Sequence, residues 1–155
     1  MDLKPHITGI QDALAFLTRF ASAHTTTEDA LQRALLYFFP AGLLLGGFCL
    51  TVSALFLFFF SDRLHPSLAT LLVALIYLST EMYCTRALHW DGLADLGDAL
   101  GGGTKDRFWQ ILHDSRLGTF GALTLLGCFL GQWLTLTAHI AASHTLILVL
   151  APAWA

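Results

Sequence analysis

The chain has 155 residues, the length of one ordinary domain, but 55% of them are apolar and only 12% are charged, and its mean hydropathy is +0.65. A soluble domain of this size cannot bury so much apolar surface, so the composition excludes a soluble globular protein. A net charge of −3 without a basic stripe argues against nucleic-acid binding, and three scattered cysteines without a CxxC pair argue against a disulfide framework or a zinc site.

Residues 1–34 form an N-terminal region that we predict to be helical, amphipathic and cytoplasmic. Apolar residues spaced three or four apart predict a helix over residues 7–21, which is too polar to cross a membrane. A second helix is predicted to begin near Glu28 and to continue into the first membrane span. Arg19 has two interpretations, as an anchor whose long side chain reaches the membrane interface or as a phosphate ligand.

Residues 35–84 contain the predicted spans one and two. Span one, at about 35–60, falls in a run of 28 residues without a formal charge between Arg33 and Asp62, and a membrane span needs about 20 residues. Pro40 inside this apolar run predicts a kink in the helix.

Further apolar segments complete the predicted bundle. Span two covers Leu64–Thr80, which is short for a span unless it includes Glu81 to Cys84, and Glu81 near that end is expected to face water. Residues 119–155 are predicted to hold spans three and four, at about 119–138 and 139–155. The whole chain is therefore interpreted as a single all-α, polytopic membrane domain with about four transmembrane helices.

Residues 85–118 are the longest polar block, and a helix over Leu88–Leu100 carries most of its carboxylates. Asp91, Asp95 and Asp98 are spaced i, i+4, i+7, so they fall within roughly 60° of one another on a helix. Like charges stacked in this way repel, and hard divalent cations prefer oxygen ligands. The spacing therefore favours a metal site, although a solvated acidic helix face gives the same pattern.

The second half of this polar block adds basic residues beside a further carboxylate. Lys105, Arg107 and Arg116 lie close in sequence to Asp114. Carboxylates for a metal and cations for a phosphate, together beside a membrane, are typical of a phosphotransferase acting at a lipid surface.

The distribution of basic residues predicts the topology. Three precede span one, one lies between spans one and two, and four lie between spans two and three. Because cytoplasmic loops carry the excess of Lys and Arg, the N-terminus and residues 85–118 are predicted to be cytoplasmic.

At these residues the chain closely resembles the cobalamin synthase family (adenosylcobinamide-GDP ribazoletransferase). HWDGLADLGDALGGG and HDSRLGTFG match the family patterns H-x-D-G-L-A-D-x-x-D-[AG] and D-S-R-[IL]-G-x-[FY]-G, and FLTRF and YFFPAGLLLGG resemble its N-terminal patterns. Ala21 stands where the family usually has Pro. Family members are considerably longer and contain a later G-D-x-x-G stretch, so we expect a C-terminally truncated member with little activity alone.

The resemblance implies a reaction and a set of site residues. The family joins α-ribazole or its 5′-phosphate to adenosylcobinamide-GDP, releases GMP and uses Mg²⁺. The expected metal ligands are Asp91, Asp95, Asp98 and Asp114. The candidates for the catalytic base are Asp98 and Asp114. The expected ligands of the substrate phosphates are Lys105, Arg107, Arg116 and Arg19.

The expected partners are these two small-molecule substrates and a lipid bilayer, with no nucleic acid. The expected location is the bacterial inner membrane, with the active segment facing the cytoplasm, and the sequence leaves homo-oligomer formation open. Two alternatives are a CDP-alcohol phosphotransferase, whose pattern fails where Asp95 and Leu96 replace Ala-Arg, and a small transporter with an acidic ion site within a span.

Overall fold

The computed structural model describes residues 4–20, 28–114 and 116–143. Within these ranges the protein consists of seven α-helices and one short 3₁₀ helix, with no strand. The elements are α1 (Lys4–Leu17), α2 (Glu28–Leu35), α3 (Phe38–Phe60), the 3₁₀ helix Ser61–Arg63, α4 (Pro66–Cys84), α5 (Leu88–Leu100), α6 (Lys105–Leu112) and α7 (Thr119–Ala141).

Three helical segments are long and apolar enough to cross a membrane: Phe38–Arg63, Pro66–Cys84 and Thr119–Ala141. They correspond to predicted spans one, two and three, and the all-α, multi-pass fold is confirmed. The predicted fourth span, 139–155, is not confirmed. Its first three residues belong to α7, and residues 144–155 lie outside the described residues.

The predicted continuous helix from about residue 28 to 60 is wrong, because the chain leaves the helix between α2 and α3. The amide of Tyr37 donates to the carbonyl of Ala34 in a turn, and α3 begins at Phe38. Pro40 therefore lies in the first turn of α3, where its missing N–H removes no intrahelical bond. A proline ring also clashes with the carbonyl four residues earlier, so the helix breaks before Pro40 and does not kink at it.

α4 is the central helix of the apolar bundle, because it packs against α3 on one side and α7 on the other. The buried side chains of this core are Leu45, Cys49, Ala74, Tyr77, Leu78, Cys84 and Leu136. Trp133 of α7 donates its indole N–H to the carbonyl of Leu71 in α4 at 2.9 Å.

Glu81 is buried, with 8% of its surface exposed, so the expectation that it faces water is wrong. The second span does include Glu81 to Cys84, because α4 runs on to Cys84. Glu81 then lies one turn after Tyr77, on the face of α4 that packs into the core.

The N-terminal helices join the bundle at the end where α4 finishes. α1 ends at Leu17 and not at residue 21, because the amide of Arg19 donates to the carbonyl of Cys84 at 2.8 Å. The guanidinium of Arg86 donates to the carbonyl of Thr18 at 3.3 Å. These contacts place the N-terminal region beside the start of the polar segment 85–118.

Candidate active site

The acidic helix α5 follows a sharp turn at the end of α4. Arg86 and Ala87 both have left-handed backbone angles, with φ of 56° and 55°, which is uncommon for residues other than glycine. The turn lets α5 leave the axis of α4, and α5 then packs mainly against α7 and α6. Its observed bounds, Leu88–Leu100, agree with the prediction.

The three aspartates of α5 have different surroundings. Asp91 is exposed, whereas Asp95 and Asp98 are half-buried. Among the described residues, the carboxylates of Asp91 and Asp95 accept no hydrogen bond, and both are available to a ligand.

Asp98 is bound by the backbone at the start of α7. One carboxylate oxygen accepts the amide N–H of Gly118 and the other accepts that of Gly121, each at 2.7 Å. Gly118 is the N-cap residue of α7, and the first amides of a helix have no acceptor within it. A carboxylate at this end also interacts favourably with the helix dipole.

Glycines allow α5 and α7 to approach closely here. A Cβ atom at Gly118 or at Gly121 would overlap the carboxylate of Asp98, and one at Gly97 would lie 2.5 Å from the hydroxyl oxygen of Thr124. The carboxylate of Asp98, from the HWDGLADLGD segment, therefore packs directly against Gly118 and Gly121 of the HDSRLGTFG segment.

Asp114 is paired with Arg116 in the connection between α6 and α7. The guanidinium donates from its Nε to Oδ1 and from its NH2 group to Oδ2 of Asp114, at 3.0 and 2.7 Å. These hydrogen bonds hold the pKa of Asp114 below its ordinary value and raise the pKa of Arg116. The pair is solvent-accessible, so both side chains can exchange partners when a ligand arrives.

The remaining predicted phosphate ligands lie at two places. Lys105 and Arg107 are exposed in the first turn of α6, where the hydroxyl of Thr104 caps the helix. Arg19 lies apart from them at the end of α4, with its guanidinium carbon 3.7 Å from the centre of the Tyr83 ring. This stacked position suits an interface anchor, and the phosphate role predicted for Arg19 stays a prediction.

A groove of about 700 Å³ opens between the end of α4, α5 and α7. Arg86 and Asp91 supply its charged groups, and Trp90 and Phe129 pack in its wall with ring centres 5.9 Å apart. Sequence reasoning did not select Arg86 as a site residue. The one sequence feature that could have indicated Arg86 is its position five residues before Asp91. The left-handed turn that brings Arg86 to the groove could not be predicted from the sequence.

The described residues contain no group of three or more His, Cys, Asp or Glu side chains close enough together to enclose a metal ion. Asp91 and Asp95 are one turn apart on α5, with Cβ atoms about 5–6 Å apart at this spacing. Mg²⁺ typically takes one or two carboxylates and completes its shell with waters and substrate phosphates. The pair therefore fits Mg²⁺ held jointly with a phosphorylated substrate.

The HWDGLADLGD and HDSRLGTFG segments contact each other at Asp98, and both lie in the region that the chain shares with a known family. Residues 9–155 match the family described as cobalamin-5-phosphate synthase. The chain belongs to that family. No solved structure matches this member of the cobalamin-5-phosphate synthase family.

Its curated relatives carry the name adenosylcobinamide-GDP ribazoletransferase. The chain is 41% identical to the protein of Nitratidesulfovibrio vulgaris over 141 residues, which cover 90% of this chain and 54% of the relative. It is 41% identical to the protein of Syntrophobacter fumaroxidans over 145 residues (90% and 55%) and 38% identical to that of Vibrio cholerae over 112 residues (72% and 40%). The chain thus spans about half the length of the curated relatives it matches.

Proposed function

We propose that the protein is the part of an adenosylcobinamide-GDP ribazoletransferase that binds Mg²⁺ and the pyrophosphate of the nucleotide substrate. The observation that carries this proposal is the docking of the acidic helix α5 on the start of α7. It brings the HWDGLADLGD and HDSRLGTFG segments, both shared with the family, to one end of the helical bundle.

In the proposed reaction, a hydroxyl of α-ribazole or its 5′-phosphate attacks a phosphorus of the adenosylcobinamide-GDP pyrophosphate, and GMP leaves. Asp91 and Asp95 would hold Mg²⁺. Asp98 and Asp114, the other two predicted ligands, already accept hydrogen bonds from backbone amides and from Arg116. Mg²⁺, when bound, neutralises the negative charge that develops on the pyrophosphate oxygens.

The protein's own residues bind the substrates and move the proton. Lys105, Arg107 and Arg116 would neutralise and orient the phosphates, and Arg86 at the groove adds a fourth cation near Asp91. A carboxylate would accept the proton of the attacking hydroxyl. Of the two predicted candidates for this base, Asp114 is accessible to a substrate, because Arg116 can transfer its hydrogen bonds to a phosphate.

We place residues 85–118 on the cytoplasmic side of the bacterial inner membrane. The distribution of basic residues supports this orientation. The hydrogen bond from Arg86 to the carbonyl of Thr18 supports placing both predicted cytoplasmic segments at the same end of the bundle. A cytoplasmic site would have direct access to a nucleotide-linked substrate.

The decisive experiment is an assay of GMP release by the purified protein in lipid nanodiscs, supplied with both substrates and Mg²⁺. Because the chain spans about half the length of its relatives, we expect the release to be weak. What release there is should require both substrates and stop with EDTA. The transporter alternative is tested on the same preparation reconstituted in vesicles: substrate uptake without GMP release would favour a transporter, whose acidic site would be the buried Glu81 of α4.

A further inference from the structure

Asp98 differs from the other carboxylates of the polar segment because each of its two oxygens accepts a backbone amide. Both oxygens accept amides, at 2.7 Å each, from residues 20 and 23 positions later in the chain. Each oxygen keeps a second lone pair, but any movement of the carboxylate towards a ligand would take its acceptor from the two amides, at a helix end where no intrahelical acceptor exists.

The contact connects the two halves of the candidate site. Asp98 lies on the same helix as Asp91 and Asp95, and Gly118 follows Asp114 and Arg116 by only a few residues. A misplacement of reacting groups by about 1 Å can cost an enzyme about 100-fold in rate, so under the proposed function a fixed bond between these halves would help to keep the reacting groups in place.

We propose that Asp98 is a positioning residue, which holds the Asp114–Arg116 connection at a fixed place relative to Asp91 and Asp95. The role rests on the proposed function for its catalytic meaning, but the contact itself can be tested without it. The proposal also gives Gly118 and Gly121 a defined purpose, because a side chain at either would displace the Asp98 carboxylate.

The first test measures amide hydrogen exchange by mass spectrometry in the 155-residue chain in nanodiscs. In Asp98→Asn the side chain keeps only one acceptor oxygen, so exchange in peptides containing Gly118 and Gly121 is expected to be about 10-fold faster or more. Gly121→Ala should give the same result by displacing the carboxylate. Gly127→Ala is the matched control, since a Cβ there meets nothing within 4 Å. Unchanged exchange in Asp98→Asn would overturn the proposal.

The second test separates positioning from metal binding. If Asp98 acts through the α7 contact, Asp98→Asn and Gly121→Ala should lower GMP release alike, by about 10–100-fold as for residues that orient metal ligands. They should change the Mg²⁺ requirement alike, and the double variant should be little worse than either single variant. A higher Mg²⁺ requirement in Asp98→Asn alone, with additive losses in the double variant, would make Asp98 a metal ligand and refute its positioning role.

The two tests also distinguish this proposal from the transferase assignment. If the unsubstituted protein releases no GMP with both substrates and Mg²⁺, the transferase proposal fails, and hydrogen exchange still decides whether Asp98 holds the start of α7. If GMP is released but Gly121→Ala is as active as Gly127→Ala, the transferase proposal stands and the positioning role is wrong. Should Gly121→Ala fail to fold, the exchange measurement on Asp98→Asn alone decides.

Discussion

The four aspartates predicted as metal ligands divide into two groups according to their surroundings. Asp98 accepts backbone amides and Asp114 accepts a guanidinium, whereas Asp91 and Asp95 have no such partner in the described part of the chain. Two uncompensated carboxylates one turn apart repel each other, and a bound cation would remove that repulsion. The difference gives each aspartate a distinct expected response to mutation.

Asp91→Asn or Asp95→Asn should weaken divalent-metal binding by at least about 10-fold, since each removes one charged ligand. Binding of Mn²⁺, a paramagnetic substitute for Mg²⁺, can be measured by electron paramagnetic resonance without any transferase activity. Asp106→Asn is the matched control, because Asp106 is also acidic and exposed but lies on α6. Mn²⁺ affinity unchanged in both variants of α5 would refute the metal site.

The Asp114–Arg116 pair makes a prediction about pH. The hydrogen bonds from Arg116 lower the pKa of Asp114, so the carboxylate stays ionised to a lower pH than an ordinary aspartate, whose pKa is about 3.9. Any stability that the pair contributes is present above that ordinary value and is lost as the pH falls through the lowered pKa. Arg116→Gln should therefore raise the pKa of Asp114.

The titration can be followed by the carboxyl ¹³C resonance of labelled aspartate. Arg107→Gln removes a cation of the same segment that does not bond Asp114, so it should leave the resonance of Asp114 unchanged. Equal pKa values in the two variants would show that Arg116 is not the group that stabilises the ionised carboxylate.

At the scale of the elements, sequence patterns predicted what depends on local spacing. The bounds of α5 follow from its flanking residues, and the three apolar helices follow from length and hydropathy. The break before Pro40 was missed because a proline is compatible with either the interior of a kinked helix or the first turn of a new one. The burial of Glu81 was missed because charge alone suggested exposure, while burial depends on where neighbouring helices pack.

The contact of Asp98 with the start of α7, which connects the two halves of the candidate site, could not be predicted from the sequence. The spacing of Asp98 with Asp91 and Asp95 predicted a common helix face, which α5 provides. However, Asp98 meets amides 20 and 23 residues away, and no periodicity within α5 indicates which end of which helix will lie beside it.

Trp133 provides a test of how α7 is attached to α4. Its indole donates to the carbonyl of Leu71 at 2.9 Å, and hydrogen bonds between membrane helices contribute about 0.6–1.7 kcal/mol. Trp133→Phe should lower the free energy of unfolding by about this amount, measured by denaturation in mixed micelles. Trp109→Phe is the control, because Trp109 lies on α6 and is 52% exposed. Equal stability of both variants would mean that the indole bond does not help to hold the two helices together.

At the scale of the whole molecule, the helices form a bundle whose two ends differ in character. One end has the 3₁₀ helix between α3 and α4. The other end has the hydrogen bond from Arg19 to Cys84 at the end of α4 and the hydrogen bond from Arg86 to Thr18. The acidic helix α5 and the start of α7 lie at the same end. With three spanning helices in the order α3, α4, α7, the polar segment 85–118 and the N-terminal region must share one side of the membrane, and the 3₁₀ helix must lie on the other.

This arrangement predicts that single cysteines placed at Thr104 and at Ser61 react with a membrane-impermeant maleimide from opposite sides. Both positions are exposed, and the native residues Cys49, Cys84 and Cys128 would first be replaced. Because basic residues favour the cytoplasm, a cysteine at Ser61 should label in intact cells and one at Thr104 only after the membrane is opened. Labelling of both after opening is the control for reactivity. If both label in intact cells, or neither does, the two positions share one side and the assignment of α3 and α4 as successive spans is wrong; labelling of Thr104 alone would keep the spans and reverse the orientation.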